Sequence, residues 1–519
     1  MIPKTLAAAL STLALLATAN SYADDQQGLA AGQQSSHWYK DAAQALQRAA
    51  ERPINNQRGA AKNIILFVGD GMGISTVTAA RILAGQQLGQ TGEEYQLSFE
   101  KMPFVGLIKT YNTNQQTPDS AGTATAMVTG VKTKAGFISV DESVARGDCP
   151  ASLKHGLTTA LELAEARGKR TGIISTARIT HATPATTYAK VPERDWEYQA
   201  PAGCRDIAAQ LVEMPVGDGI DVIMGGGRRG FLPADMTDLE GSAGKRKDGR
   251  NLVQEWQQRY GKNGVYIEDR SGFDKLDVKS TDKLLGLFQP SHMRYESDRV
   301  NDKAGEPSLS EMTAKGLELV EKNKDGYFML IEGGRIDHGH HAGNAYNALH
   351  DAVEFANAVQ VAMDNTDPKD TLIIVTADHS HTFTIAGYPT RGNPILGKVV
   401  GNDEHGEPMD HPQLAADGKP YTTVGYANGP GYADLGEETN SDARMNAPVG
   451  TGRVDLTEVD TRAPGFFQES LVHSSGETHG GEDVGIWARG PGAHLLSGTN
   501  EQNFIFHVMA HAGGLLEDK

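Results

Sequence analysis

The sequence predicts an α/β fold: a doubly wound, mainly parallel central sheet flanked by helices on both faces, with a loop-rich insertion. Three observations predict it. Several short runs are apolar throughout, as strands covered on both faces require. Segments of helical spacing stand between those runs. The apolar runs are followed by Gly, Asp, Glu and His, in the place where open α/β sheets bind ligands, beyond the carboxyl ends of their strands. Strand–helix alternation over roughly 450 residues points to one large domain.

Residues 1–23 read as a secretory signal peptide. Lys4 precedes an apolar run from Leu6 to Ala19, and Ser21-Tyr22-Ala23 places small residues where a signal peptidase reads. The run falls short of the about 20 apolar residues of a membrane helix. No later stretch is long and apolar enough to cross a bilayer, so no membrane anchor is expected in the mature chain, and the predicted location is periplasmic or secreted. Residues 24–58 precede the domain and contain a short amphipathic helix from Trp38 to Ala50, with Trp38, Ala42, Leu46 and Ala49 on one face.

Residues 59–519 form the α/β domain. Its strands are Ile64–Val68, Gly172–Ile174, Asp221–Met224, Tyr327–Ile331 and Leu372–Val375. Helical spacing marks Leu157–Glu165, Met312–Val320 and Ala345–Met363. Residues 232–252 are charged and turn-rich. Residues 390–470, crowded with Gly, Pro, Asn and Asp, are a compact insertion with Tyr421, Tyr426 and Tyr432 to bury. Cys149 and Cys204 are the only cysteines. In an oxidising compartment one disulfide is the economical reading, closing a loop of about 55 residues; two buried thiols are the alternative.

Charge excludes one class of function. With 66 acidic against 48 basic side chains the formal net charge is −18, which argues against a nucleic-acid groove. The Gly-rich segments do not make nucleotide sites either. Asp70 in Gly69-Asp70-Gly71 would repel a pyrophosphate, and Phe231-Leu232-Pro233 cannot open the helix that Gly225–Gly230 would need.

The strand ends carry chemistry. Asp70 follows the first strand, Glu332 to His341 follows Ile331, Asp378-His379-Ser380-His381 follows Val375, and His181, Thr183 and Arg194 lie beyond Ile174. Glu477-Thr478-His479 stands near the C-terminus. Asp and His without Cys suit zinc at catalytic sites, and oxygens alone suit magnesium. Asp337 and His341 share a face if their segment is helical. Together these groups predict a multi-metal site. Ser120, after Pro118-Asp119 and before a run of small residues, stands at a helix start, either as a simple cap or as a group at an oxyanion-attracting N-terminus.

In these motifs and their order the chain resembles the alkaline phosphatases, over nearly the whole mature chain. His181 and His338 make it more similar to the animal and marine bacterial enzymes than to the enteric bacterial one, which has Asp and Lys there. The resemblance implies a phosphomonoesterase, acting through a phosphoserine on Ser120, with two zinc ions and one magnesium ion. Asp337, His341 and His479 would hold one zinc; Asp70, Asp378 and His379 the other, with Ser120 as its further ligand. Glu332, Thr183 and Asp70 would bind magnesium. Arg194 would clamp phosphate with support from Asp119, and His181 and His338 would act through water. The resemblance also implies that residues 24–58 are an N-terminal helical arm reaching a partner subunit, the Cys149–Cys204 disulfide, a homodimer, and a crown-like role for 390–470. Two positions depart from the animal enzymes' calcium site: Gln289 replaces Glu and Glu306 replaces Asp. A sulfatase would need a Cys-x-Pro-x-Arg setting that Ser120 lacks. A secreted phosphate-binding protein would not need eight metal-ligand side chains.

Overall fold

A computed structural model describes residues 54–445 and 448–516, together with Gln44. Chain contacts separate residues 1–54 from Asn55–Lys519. The expected signal peptide lies outside the described residues, as does the N-terminal helix apart from Gln44.

A ten-stranded sheet organises the larger unit. Its strands are β1 (Asn63–Gly69), β2 (Phe104–Lys109), β3 (Arg170–Arg178), β4 (Val222–Gly226), β5 (Gly264–Ile267), β6 (Lys283–Gln289), β7 (Tyr327–Gly333), β8 (Thr371–Ala377), β9 (Val484–Arg489) and β10 (Gly498–Glu501). Their order is β10-β2-β9-β8-β1-β7-β3-β4-β6-β5. Only β9 runs against its neighbours; the other pairings are parallel.

All five expected strands are present, and five more were not anticipated. Central β1, β7 and β8 are buried almost end to end, so they read as continuous apolar runs. β2 near one edge leaves Val105 and Leu107 exposed, and β5 at the other has four residues. Such strands leave a weaker apolar signature.

The principal helices are α1 (Ile74–Gln87), α2 (Ser120–Thr129), α3 (Ala160–Glu165), α4 (Leu309–Val320), α5 (Arg335–His341), α6 (Ala345–Asp364) and α7 (Phe504–Gly513). They cover both faces of β1. Phe67 meets Phe355 of α6 with ring centroids 5.9 Å apart, while Ile64, three residues earlier and so on the opposite face, packs against Gly513 of α7. α3 begins later than its spacing suggested, because Thr159 caps it, accepting from the Glu162 amide while Glu162 accepts from the Thr159 amide.

Residues 232–252 are tied down rather than free. Buried Arg228 pairs with Asp238 and Glu240, and buried Arg246 with Asp206 and Asp248. Within and beside 390–470, strands Phe383–Ile385, Val424–Gly429 and Ser470–His473 form a small separate sheet. Cys149 and Cys204 are disulfide-bonded, with Cα atoms 6.0 Å apart.

Candidate active site

Register brings the carboxylates together. Gly69 at the end of β1 pairs with Gly333 of β7 and Ala377 of β8, so Asp70 and Asp378, the next residues of adjacent strands, emerge side by side. Glu332, still on β7, pairs with Ser175 of β3, whose hydroxyl donates to it. The chain escapes β1 through Gly71 at φ 68°, and its amide donates to Asp378 Oδ1 at 3.0 Å. A Cβ at Gly71 would lie 2.3 Å from His381 Nε2, so glycine is required twice over.

Ser120 is the first residue of α2 and is buried. The cap is Asp119, whose Oδ1 accepts from the Gly122 amide at 3.1 Å. That leaves Ser120 Oγ free to lie 3.0 Å from His379 Nε2. Asp119 Oδ2 accepts from the Gly136 amide at 2.8 Å and from Arg194 Nη1 at 3.2 Å. Arg194 Nη2 also donates to His181 Nε2 at 3.2 Å. Nucleophile candidate and guanidinium thus share one support, Asp119.

α5 delivers Asp337 and His341 one turn apart, as their spacing predicted, with His341 Nε2 3.2 Å from Asp337 Oδ1. His479 Nε2 is 3.1 Å from His341 Nε2 and 3.5 Å from Asp337 Oδ1. His379 Nε2 lies 3.2 Å from Asp378 Oδ2 and 3.4 Å from Asp70 Oδ1. Backbone carbonyls set the tautomers. His341 Nδ1 donates to Glu477 O at 2.6 Å and His479 Nδ1 to Pro118 O at 2.7 Å. Their Nε2 lone pairs therefore face each other and a carboxylate, which is how metal-binding imidazoles are oriented.

Comparison with known proteins decides the family. The family model for alkaline phosphatase matches residues 61–515. The chain belongs to the alkaline phosphatase family. It is 46% identical over 490 residues to the tissue-nonspecific alkaline phosphatase of Gallus gallus, covering 92% of this chain and 89% of that one. The Homo sapiens tissue-nonspecific isozyme is 44% identical over 492 residues, with 92% and 88% covered. The crystal structure of Thermus thermophilus alkaline phosphatase shares the fold at TM-score 0.63 and 23% identity, covering 90% of this chain and 94% of that one. As an alkaline phosphatase, this protein is an enzyme that hydrolyses phosphate monoesters.

The electrostatics suit the metal chemistry of an alkaline phosphatase. Burial and then the charges of Asp378, Asp337 and Glu332 push Asp70 well above the usual carboxylate range. Glu332 is pushed up to about 8, chiefly by burial. Burial also acts to raise Asp337, but His341, His381 and His479 outweigh it and hold it well below its ordinary value. Both carboxylate oxygens of Asp70, Thr183 Oγ1, Glu332 Oε1 and Asp378 Oδ2 are sealed from solvent without a hydrogen bond. Buried oxygens of this kind call for cations. Asp70, Asp378 and His379 can hold one ion, and Asp70 and Glu332 sit together at a second place that His181 borders.

One residue of this cluster was quoted in the motif but given no role. His381 Nε2 is 2.9 Å from Asp337 Oδ1, and its Nδ1 is 2.6 Å from Glu477 Oε2. Burial disfavours its charge, yet Glu477 and Asp337 lift its pKa to about 10. Its signal was there: His379 and His381 alternate along an extended segment that bridges His479, but the sequence did not distinguish strand from helix after Asp378. At the two departing positions, Gln289 Nε2 donates to Asp302 Oδ1 and Glu306 Oε1 accepts from the Arg294 amide at 2.8 Å. No helix among the described residues is long and apolar enough to cross a membrane.

Proposed function

We propose that this alkaline phosphatase transfers the phosphoryl group of a monoester to Ser120 and then to water, using two zinc ions and one magnesium ion. One observation carries the reading: Ser120 Oγ and the Arg194 guanidinium stand with buried carboxylates that each keep at least one unpartnered oxygen and with oriented imidazoles, Asp119 supporting the start of α2 and the guanidinium. Asp337, His341 and His479 would hold one zinc, Asp70, Asp378 and His379 the other, and Asp70, Glu332 and Thr183 magnesium. When bound, such ions lower the pKa of a hydroxyl or water and offset charge on phosphate oxygens.

Ser120 Oγ gives up its proton to solvent and forms a bond to phosphorus as the bond to the alcohol oxygen breaks, and the alcohol leaves with a proton from water. Water then attacks the phosphoserine: its oxygen bonds to phosphorus and it gives up a proton, the Oγ–phosphorus bond breaks, and Oγ takes a proton to regenerate the Ser120 hydroxyl beside inorganic phosphate. Arg194 holds two equatorial oxygens by paired N–H donors throughout. Asp119 keeps its plane oriented, and His181 and His338 border the same oxygens through water. The free amides at the start of α2 face the same charge.

The expected leader at 1–23 and the disulfide support a periplasmic or secreted enzyme. A homodimer is supported by apolar side chains left exposed in and beside 390–470, including Tyr388, Leu414, Leu471 and Val472, where a crown-like insertion would meet its copy. The test is Ser120→Ala with trapping: turnover falls by orders of magnitude and the wild-type trap carries phosphate on Ser120. Phosphate on any other side chain would overturn the assignment.

A further inference from the structure

A separate group of imidazoles lies beside the arginine clamp. His181 follows β3, His292 lies in the loop after β6, and His338 belongs to α5. Ring centroids are 5.2 Å apart for His181–His292, 5.5 Å for His181–His338 and 4.0 Å for His292–His338. One nitrogen of each ring lies within 4.8 Å of a nitrogen in the other two. Nδ1 of His181 and Nδ1 of His338 are sealed from solvent and have no hydrogen-bond partner. Phosphoryl transfer as described has no use for His292.

We propose that His181, His292 and His338 form a further metal site, for a divalent ion of the zinc, nickel or copper class. Three imidazoles without a carboxylate select against magnesium and calcium, which take oxygen ligands. They leave a tetrahedral ion one open position, filled by water or an anion. The three residues are only half-buried, so an ion has a path in from solvent.

Arg178 is the competitor at this site. Its amide donates to His292 Nδ1 at 3.2 Å, and its guanidinium faces His292 Nε2. A neutral imidazole has one acceptor nitrogen, so both contacts cannot be satisfied together. An ion that takes one nitrogen leaves the Arg178 guanidinium on Glu197, which it already holds at 2.6 Å. His181 Nε2 accepts from Arg194 at 3.2 Å, so by the same rule an ion on His181 Nδ1 displaces that contact, and the site and the arginine clamp compete for one ring.

The site does not depend on the phosphoserine assignment, and its test does not read turnover. Wild type and His292→Ala are dialysed against the same zinc and magnesium solution and their metal content is measured. Crystals of the zinc-loaded wild type are recorded on both sides of the zinc absorption edge. The expected result is one zinc fewer per chain in the variant, unchanged magnesium, and an anomalous peak among the three rings. Equal zinc content, or no peak at that place, overturns the proposal. The diffraction measurement uses the unaltered protein, so it decides even where the variant misfolds, and His292→Gln repeats the comparison with the side-chain bulk kept.

Discussion

Replacing Asp119 separates two roles that one carboxylate combines. Its Oδ1 caps α2 at the Gly122 amide and accepts from Asn112 Nδ2 at 3.0 Å; its Oδ2 accepts from Gly136 and Arg194. Asp119→Ala loses all four contacts. The cap is worth about 1 kcal/mol, and each hydrogen bond to a charged acceptor contributes about 1.5 kcal/mol or more when buried. The side chain is 19% exposed, so water recovers part of this, and a total loss of roughly 3 kcal/mol is expected. Asp119→Asn keeps the Oδ1 contacts but turns an amide nitrogen toward Gly136 and Arg194, so its loss should be about half as large. Arg194 loses the same anchor in both variants and retains only His181. Inhibition by inorganic phosphate should therefore weaken about tenfold in each, equivalent to about 1.4 kcal/mol. Urea unfolding reads the stability and competitive inhibition reads the clamp. The reasoning fails if Asp119→Asn binds phosphate like the wild type, or if Asp119→Ala is no less stable than Asp119→Asn.

Other consequences follow from groups elsewhere. The disulfide closes a separation of 55 residues, so Cys149→Ser with Cys204→Ser should cost about 4 kcal/mol by chain entropy, read as a lower urea midpoint. Glu165, buried beside Asp221 and hydrogen-bonded by Thr171, has its pKa raised by burial from 4.5 to about 8. The folded state holds this proton while the unfolded state gives it up, so its contribution is complete below about pH 4.5 and is lost as pH rises to about 8. Glu165→Gln should remove that slope, which amounts to no more than about 5 kcal/mol; identical pH–stability curves in both proteins would contradict it. Chelation should lower the melting temperature and abolish turnover, with recovery in zinc plus magnesium, because an ion at a thousandfold over its Kd stabilises by about 4 kcal/mol. A melting temperature indifferent to chelator would count against metals holding Asp70, Glu332 and Asp378.

The central sheet was legible because β1, β7 and β8 are buried on both faces, and nothing but apolar residues fits there. The placing of Asp70, Glu332 and Asp378 was legible too, since a residue at the end of a parallel strand reaches the same sheet edge whatever the register. β2, next to one edge, and β5, at the other edge, were not, because a half-solvated strand need not be apolar. His381 and His292 were given no role for a related reason: one sits on a two-residue extended segment and the other in a loop, where too little periodicity says which way a side chain points.

The amino-acid sequence alone determined which residue types stand at each strand end, the four-residue spacing of Asp337 and His341, and the Asp119-Ser120 start of α2, because these are local properties of the chain. Only the tertiary structure decided that Asp119 and not Ser120 caps α2, that backbone carbonyls 136 residues from His341 and 361 from His479 in sequence fix their tautomers, and that His292 joins His181 and His338. The tautomers and the histidine cluster depend on distances between segments far apart in sequence, which sheet register and helix packing set, while the choice of cap is held by contacts of Asp119 to Gly136 and Arg194 that no local pattern fixes.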